Sequence, residues 1–333
     1  MPEGHSVHRI ARQFARNFVG RAVAVSSPQG RFAEGASLID GREMARAVAV
    51  GKQMFLEFDG GLWLRVHLGL YGAWDFSGDI LVDPTIASAN GRMGQTNQRG
   101  TDLDDPILDD AGENSLASIG APRRTRGHVR MSEQTKGVED GAELEWPPPV
   151  VGQVRARLMT DVTCADLRGP TVCAVETPEQ VQKVWDRLGP DPLVGDPAEN
   201  EERFVAAVRR RNVAIGQLLM DQAVVSGIGN VYRAEMLFRA NVDPHTPGKK
   251  LPAEIVRGMW RDWVDLLRIG VETGQMMTMD GLTGDAWRSA MASRDDRHWV
   301  YHRAGLPCRV CGTEIVLEEM QSRKLYWCPT CQR

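Results

Sequence analysis

The first residues of the chain, Met-Pro-Glu, combine two groups that can act together in catalysis. If Met1 is removed, Pro2 becomes the N-terminal residue and presents a secondary amine, with the carboxylate of Glu3 beside it. An amine that can attack a sugar carbon, next to a proton donor, is the starting arrangement for Schiff-base catalysis. Many proteins begin with Met-Pro for unrelated reasons, so the pair predicts catalysis only if the rest of the chain supports it.

A second group of reactive side chains lies near the C-terminus, where four cysteines have the spacing C-x2-C-x16-C-x2-C. Two such pairs at this separation supply four thiolates to one tetrahedral zinc ion. The predicted ligands are Cys308, Cys311, Cys328 and Cys331. Two disulfides are the alternative, which a reducing compartment disfavours. The sequence therefore predicts one structural Zn2+.

The element that must hold Pro2 and Glu3 in place is a helix that begins directly after them. Apolar residues recur at helical spacing, with arginines on the opposite side, and a glycine follows as a stop signal. The apolar residues are Val7, Ile10, Phe14 and Phe18. Because a chain terminus usually frays, such a helix would give the N-terminus the fixed position that catalysis requires.

Strand-like segments follow this helix and predict an N-terminal β-sandwich domain, flanked by helices, over residues 1–177. The segment “MFLEFDGGLWLRVHL” is typical of a hairpin that turns at Asp59-Gly60-Gly61, and “AVAVSSP”, “GQVRARLM” and “TVCAVET” are typical of further strands. Residues at about 78–149 differ, because they are rich in Gly, Ser, Asn, Asp and Pro. This composition predicts a mostly irregular insertion within the domain.

The net charge of −4 is distributed unevenly along the chain. Residues 78–150 contain 13 acidic and seven basic residues, so they carry −6 and the remainder carries +2. The charge of the whole chain therefore does not exclude a nucleic-acid partner. The insertion is either a dispensable surface segment or, through the arginines of “APRRTRGHVR”, a contact with nucleic acid or with a partner.

From residue 178 the pattern becomes helical, and it predicts a helical domain over residues 178–297 and a zinc β-hairpin over residues 298–333. In “AVVSGIGNVYRAEMLFRA” a turn at Gly227 and Gly229 precedes a helix that begins at Asn230. Such a turn presents backbone N–H groups at a helix N-terminus, where a phosphate can bind. A plain turn between helices explains the glycines equally well.

Two further features narrow the class of protein. No run of about 18 or more apolar residues is present, so the sequence predicts no membrane-spanning helix. No basic segment followed by an apolar stretch opens the chain, so we expect no secretory signal. The expected location is the cytoplasm.

Together, the N-terminal Pro-Glu, the segment “GIGNVYRAE” and the four-cysteine hairpin resemble the formamidopyrimidine-DNA glycosylase and endonuclease VIII family, with “LGPDPL” as further support. The chain is most similar to an actinobacterial endonuclease VIII, over residues 2–77 and 150–333. The resemblance implies a base-excision-repair DNA glycosylase with lyase activity at abasic sites. It also implies a helix–two-turn–helix domain, damaged DNA as partner, and a monomer associated with the bacterial nucleoid.

The resemblance further implies roles for individual residues. Pro2 would attack C1′ of the damaged nucleoside, and Glu3 would protonate the sugar ring oxygen as a general acid. Lys52 would enter the active site and contact a phosphate beside the lesion. Arg323, near the tip of the zinc hairpin, would hold the phosphate of the extruded nucleotide, and Asn230 would bind the DNA backbone.

The same resemblance gives Leu70 and Tyr71 a place in DNA binding. They stand between two glycines in “HLGLYGAW”, and in the family this loop inserts apolar side chains into the space left by the flipped base. Base flipping costs a few kcal/mol, which such wedges help to offset. Without the resemblance, the pair would be read as core or scattered surface residues.

The chain departs from the family pattern in two places. Many relatives continue Pro-Glu-Gly-Pro-Glu, whereas this chain has His5-Ser6 and so lacks a second acid near the site. The loop that carries Arg and Phe wedges in the branch acting on 8-oxoguanine is not recognisable in “CADLRGPTVCAVET”. We therefore expect oxidised pyrimidines as substrates. The alternatives are a catalytically weakened protein that binds damaged DNA or abasic sites, and an unrelated zinc-hairpin interaction protein.

Overall fold

The computed structural model describes residues 2–81, 118–120, 146–293 and 296–333. Within these ranges the chain divides into two compact units. The first contains the described residues up to 184 together with residues 271–274, and the second contains the other described residues from 185 onward. No helix in the described part of the chain is long and apolar enough to cross a membrane.

The first unit is built on antiparallel strands. Their bounds are β1 Ala22–Ser26, β2 Arg42–Val50, β3 Gln53–Phe58, β4 Leu62–His67, β5 Ala73–Gly78, β6 Ser118–Gly120, β7 Val154–Met159, β8 Thr163–Arg168 and β9 Val172–Glu176. They pair in the order β6-β5-β8-β7-β1-β2-β3-β4-β9. Buried side chains from both halves of this order, such as Phe58 and Phe76, belong to one core. A sheet that surrounds a single core in this way confirms the predicted β-sandwich.

Helix α1 (Gly4–Asn17) packs against β2 and β3. Its apolar face is buried as the spacing predicts, and Phe14 meets the ring of Trp74 edge to face with 4.8 Å between ring centroids. The helix after β1 is α2 (Ala33–Ile39), and the helix after β9 is α3 (Pro178–Trp185). Helices thus flank the sandwich, as predicted, and α1 starts directly behind Pro2 and Glu3.

Most of the predicted insertion lies outside the described residues. One part of it is described: Ser118–Gly120 form β6, which pairs with Ala73–Asp75 of β5. The insertion therefore contributes a strand to the sheet, a contribution that its composition did not predict.

The beginning of the insertion is bonded to the C-terminal half of α1. The Asn17 side chain donates to the carbonyl oxygen of Leu81 at 3.0 Å and accepts from the Leu81 N–H at 2.7 Å. Gln13 Nε2 donates to the same carbonyl oxygen at 3.3 Å. Gln13 and Asn17 are both buried. These bonds fix the chain at the point where it leaves the described part of the sheet.

The end of the insertion is held by a buried arginine. Arg157 forms a two-point ion pair with Asp166 at 2.7 and 2.8 Å. The same guanidinium donates to the carbonyl oxygens of Pro148 at 2.7 Å and Pro149 at 3.3 Å. Asp166 on β8 thus orients the Arg157 guanidinium, and this guanidinium holds the chain at Pro148 and Pro149.

Replacing residues 82–145 with a short glycine-serine linker is expected to leave the first unit folded. This variant keeps both anchored ends and removes only the three-residue edge strand β6 from the sheet, and the closure free energy of a loop depends only weakly on its length. The wider deletion of residues 80–146 removes Leu81 and also Trp146, whose indole packs over Gly78. We expect the wider deletion to melt several degrees lower. Circular dichroism melting compares the two, and unfolding of the narrower deletion would contradict the prediction.

The second unit begins with helices. Their bounds are α4 Pro197–Arg209, α5 Ile215–Leu218, α6 Asn230–Arg239, α7 Ala253–Thr273 and α8 Gly284–Ala292, and the end of α7 from residue 271 belongs to the first unit. The predicted glycine turn directly precedes α6, and Gly227 has a φ of +92°, a conformation that favours glycine. Tyr232 of α6 packs edge to face on Trp263 of α7, with 4.8 Å between centroids.

A two-stranded hairpin follows the helices, formed by β10 (Val316–Met320) and β11 (Arg323–Trp327). Its two turn residues, Gln321 and Ser322, have φ values of +53° and +57°. Positive φ at both central positions is typical of the two-residue turns that fit the twist of a hairpin. The turn places Arg323 at the tip of the hairpin, where the sequence analysis expected it.

Candidate active site and metal centre

Pro2 and Glu3 lie at the N-terminus of α1 and are both buried, with Glu3 only 1% exposed. Glu3 is the N-cap residue, and its carbonyl oxygen accepts the N–H of Ser6 at 3.1 Å. Because α1 packs against β2 and β3, the chain start has a defined position in the first unit. This is the fixed terminus that the sequence predicted.

The next turn of α1 carries basic groups instead of a second acid. His5, His8 and Arg9 are buried, and their spacing places them on one side of the helix. Arg9 donates to the carbonyl oxygen of Val271 at 2.7 Å. Burial, followed by the charges of Arg9 and of the N-terminal amine, lowers the pKa of His5 to about 3. His5 is therefore neutral at physiological pH, and its Nε2 lies 3.2 Å from the Ser6 hydroxyl.

Lys52 is half-buried in the turn between β2 and β3, directly after Gly51. His67, at the end of β4, lies opposite Gln53 in the β3–β4 ladder. Burial, with the nearby charges of Lys52 and Arg65, lowers the pKa of His67. An ammonium group and a neutral imidazole next to each other can both donate to an anion such as a phosphate. Sequence reasoning missed His67, although a hairpin folded about Gly60 places it beside Lys52.

Leu70 and Tyr71 project from the loop between β4 and β5, with 44% and 78% of their surface exposed. The loop is tightly constrained: Gly69 has a φ of +66°, and a side chain there would collide with Thr171. At Gly72, a Cβ would collide with the backbone of Leu68. Two bulky apolar side chains are thus held in solvent on a short loop with little freedom.

The connection between β8 and β9, against which this loop lies, contains only residues 169–171. Its Thr171 N–H donates to the carbonyl oxygen of His67 at 2.8 Å. Gly169 approaches the backbone of Tyr71, where a Cβ would lie 3.1 Å from the Tyr71 oxygen. This three-residue connection has no space for a loop that carries Arg and Phe wedges, which agrees with the absence of such a loop from “CADLRGPTVCAVET”.

Asn230 contacts the hairpin strand that carries Arg323, within the second unit. The Asn230 side chain donates to the carbonyl oxygen of Lys324 at 2.6 Å, and Lys324 directly follows Arg323. Arg233, fully buried one turn later in α6, donates to Asn230 Oδ1 at 2.6 Å and to the same Lys324 oxygen at 3.1 Å. The N-terminus of α6 thus holds the strand that carries Arg323. Sequence reasoning did not identify Arg233.

Glu235 of α6 has a structural role. Its buried carboxylate accepts the backbone N–H groups of Trp299, Val300 and Tyr301 at 2.7 to 2.9 Å, and the Thr278 hydroxyl donates to it. Burial raises the pKa of Glu235, while these hydrogen bonds oppose the shift. The residue joins α6 to the segment that leads into the zinc hairpin.

The four predicted ligand cysteines come together at the base of the hairpin, and their Sγ atoms all lie within 4.8 Å of one another. The Cys308–Cys331 and Cys311–Cys328 Sγ distances are 3.9 and 3.4 Å. Zn–S bonds of about 2.3 Å in a tetrahedron require S–S distances of about 3.8 Å, so the donor set fits Zn2+. The site is structural, because four protein ligands leave no open position for water.

Hydrogen bonds support this zinc site. Thr313 donates to Thr330 at 2.8 Å and so joins the two cysteine turns. Gln332 accepts the Cys328 N–H at 2.8 Å and donates to the carbonyl oxygen of Val242 at 3.1 Å. Hydrogen bonds from Thr313 lower the pKa of Cys311, whereas burial raises the pKa of Cys328 and Cys331, so a bound zinc ion would be needed to hold all four as thiolates.

Comparisons with known proteins agree with this geometry. The formamidopyrimidine-DNA glycosylase N-terminal domain matches residues 1–106, and the H2TH domain of the same enzyme matches residues 188–280. The zinc finger found in FPG and IleRS matches residues 305–333. All three parts of the predicted architecture are therefore present in order.

Full-length relatives give the same assignment. The chain is 36% identical over 332 residues to Endonuclease 8 1 of Mycobacterium tuberculosis (strain ATCC 25618 / H37Rv), and the match covers 100% of both chains. The structure of MutM (Fpg) from Thermus thermophilus shares the fold with a TM-score of 0.62 at 22% identity, over 99% of this chain and 98% of that one. Lactococcus lactis Fpg, bound to DNA containing N7-benzyl-Fapy-dG, has a TM-score of 0.66 at 16% identity and covers 100% of both chains. The protein belongs to the formamidopyrimidine-DNA glycosylase and endonuclease VIII family of base-excision-repair DNA glycosylases.

Proposed function

We propose that this chain is a bifunctional enzyme that removes oxidised pyrimidines from DNA and then cuts the strand at the resulting abasic site. The observation that carries the proposal is the Pro2-Glu3 pair at the buried start of α1, in a chain of this family. Removal of Met1 would expose the secondary amine of Pro2. We expect the enzyme to act on damaged DNA as a monomer in the bacterial cytoplasm.

The proposed chemistry begins at the Pro2 nitrogen. The amine attacks C1′ as the bond to the damaged base breaks, and the amine proton leaves with the base. The nitrogen lone pair then expels the ring oxygen, which Glu3 protonates, and an iminium ion remains at C1′. Elimination of the 3′ phosphate (β) and then of the 5′ phosphate (δ) cuts the strand, and water releases the sugar fragment from Pro2.

Each unit offers donors that suit a phosphate. In the first unit, Lys52 and His67 offer adjacent donors. In the second, Arg323 has a guanidinium suited to two-point contact with a phosphate. The backbone N–H groups at the start of α6, where Asn230 lies, add a site that favours anions.

The preference for oxidised pyrimidines is supported by the loops. Leu70 and Tyr71 are exposed on a constrained loop, as a wedge for the space of a flipped base would have to be. The connection at residues 169–171 is too short for Arg and Phe wedges like those of the branch acting on 8-oxoguanine. Damaged bases stack and pair less well, so their extrusion costs less.

A second candidate is a protein that binds damaged DNA or abasic sites but has weakened chemistry. The observation that favours it is the first turn of α1, which carries no acidic residue and holds a neutral His5 beside Ser6. A preformed abasic duplex separates the two candidates, because the weakened protein would bind it without cutting it.

On a panel of lesion duplexes, we expect thymine glycol to be released at least about tenfold faster than 8-oxoguanine paired with cytosine, within the range that pocket contacts can supply. Single-turnover rates measure the preference, and borohydride in a parallel sample traps the covalent intermediate. Faster release of 8-oxoguanine would contradict the lesion assignment. Binding of every duplex without base release or trapping would favour the second candidate.

A further inference from the structure

His245 forms a two-sided bridge between acidic side chains in the second unit. Its Nδ1 lies 2.8 Å from Asp243 Oδ1, and its Nε2 lies 2.6 Å from Glu318 Oε1. Asp243 belongs to the same turn and also accepts the backbone N–H of His245 at 2.8 Å. Glu318 is in β10 of the zinc hairpin, 73 residues further along the chain. The bridge therefore joins the turn after α6 to the hairpin.

A third contact comes from β11. The His245 ring meets Trp327 edge to face, with 5.3 Å between ring centroids. His245 thus contacts both strands of the hairpin. The charged groups that act on its imidazole are Asp243 on its own turn and Glu318 on β10, whereas Trp327 on β11 adds no charge.

An imidazole with a carboxylate at each nitrogen is best satisfied as the imidazolium, because only the charged form donates from both nitrogens. Burial opposes the charge, but the two hydrogen bonds and the attraction of the two carboxylates prevail and raise the pKa of His245. A raised pKa means that this stabilisation is complete below the ordinary pKa of histidine. It is lost as the pH rises through the pKa in the folded protein.

The hairpin needs such ties, because an isolated two-stranded hairpin is marginally stable in water. On the β11 side, Asn230 and Arg233 hold the carbonyl oxygen of Lys324. On the β10 side, Glu318 is held by His245, three residues before Gln321, the first residue of the turn that leads to Arg323. A core shared with Phe238 of α6 also holds the hairpin, and the His245–Glu318 bond adds a polar tie on the β10 strand.

We propose that His245, bridging Asp243 and Glu318, is a positioning residue that fixes the zinc hairpin and thereby aims Arg323 at the DNA backbone. The orientation of Arg323 toward a phosphate rests on the proposed function, whereas the bridge itself does not. Since His245 is about half exposed, the effect of the bridge is a factor of a few in local stability and affinity, as for other partly solvated charge pairs.

The first experiment tests the bridge without DNA. At about pH 6, where an ordinary histidine is largely charged, His245→Gln and Glu318→Gln should each lower hydrogen-exchange protection of the β10–β11 amides by about threefold to tenfold. The double variant should lose no more than either single variant, because both remove the same contact. Glu319→Gln is the matched control, since Glu319 is exposed on the same strand and should leave protection unchanged. Unchanged protection in His245→Gln would overturn the proposal.

The second experiment tests the link to Arg323. The probe is a duplex with a tetrahydrofuran abasic-site analogue, which binds without forming an imine. His245→Gln should raise the Kd by about threefold to tenfold near pH 6. The ratio of the variant's Kd to that of the unaltered protein should fall toward one as the pH rises through the pKa of His245 in the folded protein. His245→Arg keeps a charge that can reach both carboxylates at any pH, so it should match the unaltered protein near pH 6 and bind more tightly than it at high pH.

The outcomes separate the bridge from the proposed function. In an Arg323→Ala background, His245→Gln should cause no further loss of affinity, since it acts through Arg323. An equal further loss in that background would overturn the positioning role. A loss of exchange protection without any change in Kd would likewise overturn it, while leaving the bridge established. If the chain lacks glycosylase activity, the exchange result still decides the bridge, because it requires no DNA.

Discussion

Replacing Pro2 with glycine is expected to lower borohydride trapping of the protein on an abasic duplex by at least about a hundredfold, the cost of a misplaced reacting group. Glycine keeps an amine, but it loses the ring that fixes the nitrogen at the start of α1. It also replaces a secondary amine with a primary one. Gel-resolved covalent adduct, measured after confirming removal of Met1 by mass spectrometry, checks the result.

Glu3→Gln is the comparison that separates attack from proton transfer. The amide is isosteric with the carboxylic acid but does not act as a general acid, so base release should slow by about 10² to 10⁴. Cleavage of a preformed abasic site should suffer less, because the base has already gone. Trapping that survives acetylation of the N-terminus undiminished would contradict both expectations and would identify a lysine, such as Lys52, as the nucleophile.

The sequence predicted the parts of the fold that depend on local periodicity and spacing. The spacing of Val7, Ile10 and Phe14 determines which face of α1 is buried, whatever packs against it. The four-cysteine spacing likewise needs no knowledge of the remaining chain, because zinc itself imposes the geometry. Even the turn before Arg323 could be located, since the metal-binding pairs delimit a short hairpin with few possible turn positions.

The residues that sequence reasoning missed depend on neighbours distant in the chain. Arg233 and His245 carry no local signal, because each acquires its role only when the hairpin docks on α6 and on the turn after it. His67 is an intermediate case. The register of the β3–β4 hairpin could have paired it with Gln53, but its position beside Lys52 also depends on the turn between β2 and β3. Strand β6 was missed because an edge strand of three residues has no detectable alternation.

Cys308→Ser is expected to abolish stoichiometric zinc binding and to weaken DNA binding by about tenfold or more, although Cys308 would not itself contact DNA. Zinc binding contributes about 10–16 kcal/mol of folding free energy in isolated fingers, so a site with three thiolates leaves the hairpin poorly ordered. Cys308, Cys328 and Ile315 share a core with Phe238 of α6. Loss of the metal should therefore loosen the segment that carries Arg323.

Metal content by mass spectrometry and Kd for the abasic-analogue duplex measure the two effects. Cys173→Ser is the matched control: this half-buried thiol lies on β9 in the first unit, where burial raises its pKa to about 12, and its loss should change neither zinc content nor affinity. Chelation of zinc from the unaltered protein should reproduce the Cys308→Ser affinity while leaving the melting of the β-sandwich unchanged. Stoichiometric zinc in a Cys311→Ser/Cys328→Ser double variant would refute the assignment, because two remaining thiolates cannot complete a tetrahedral site.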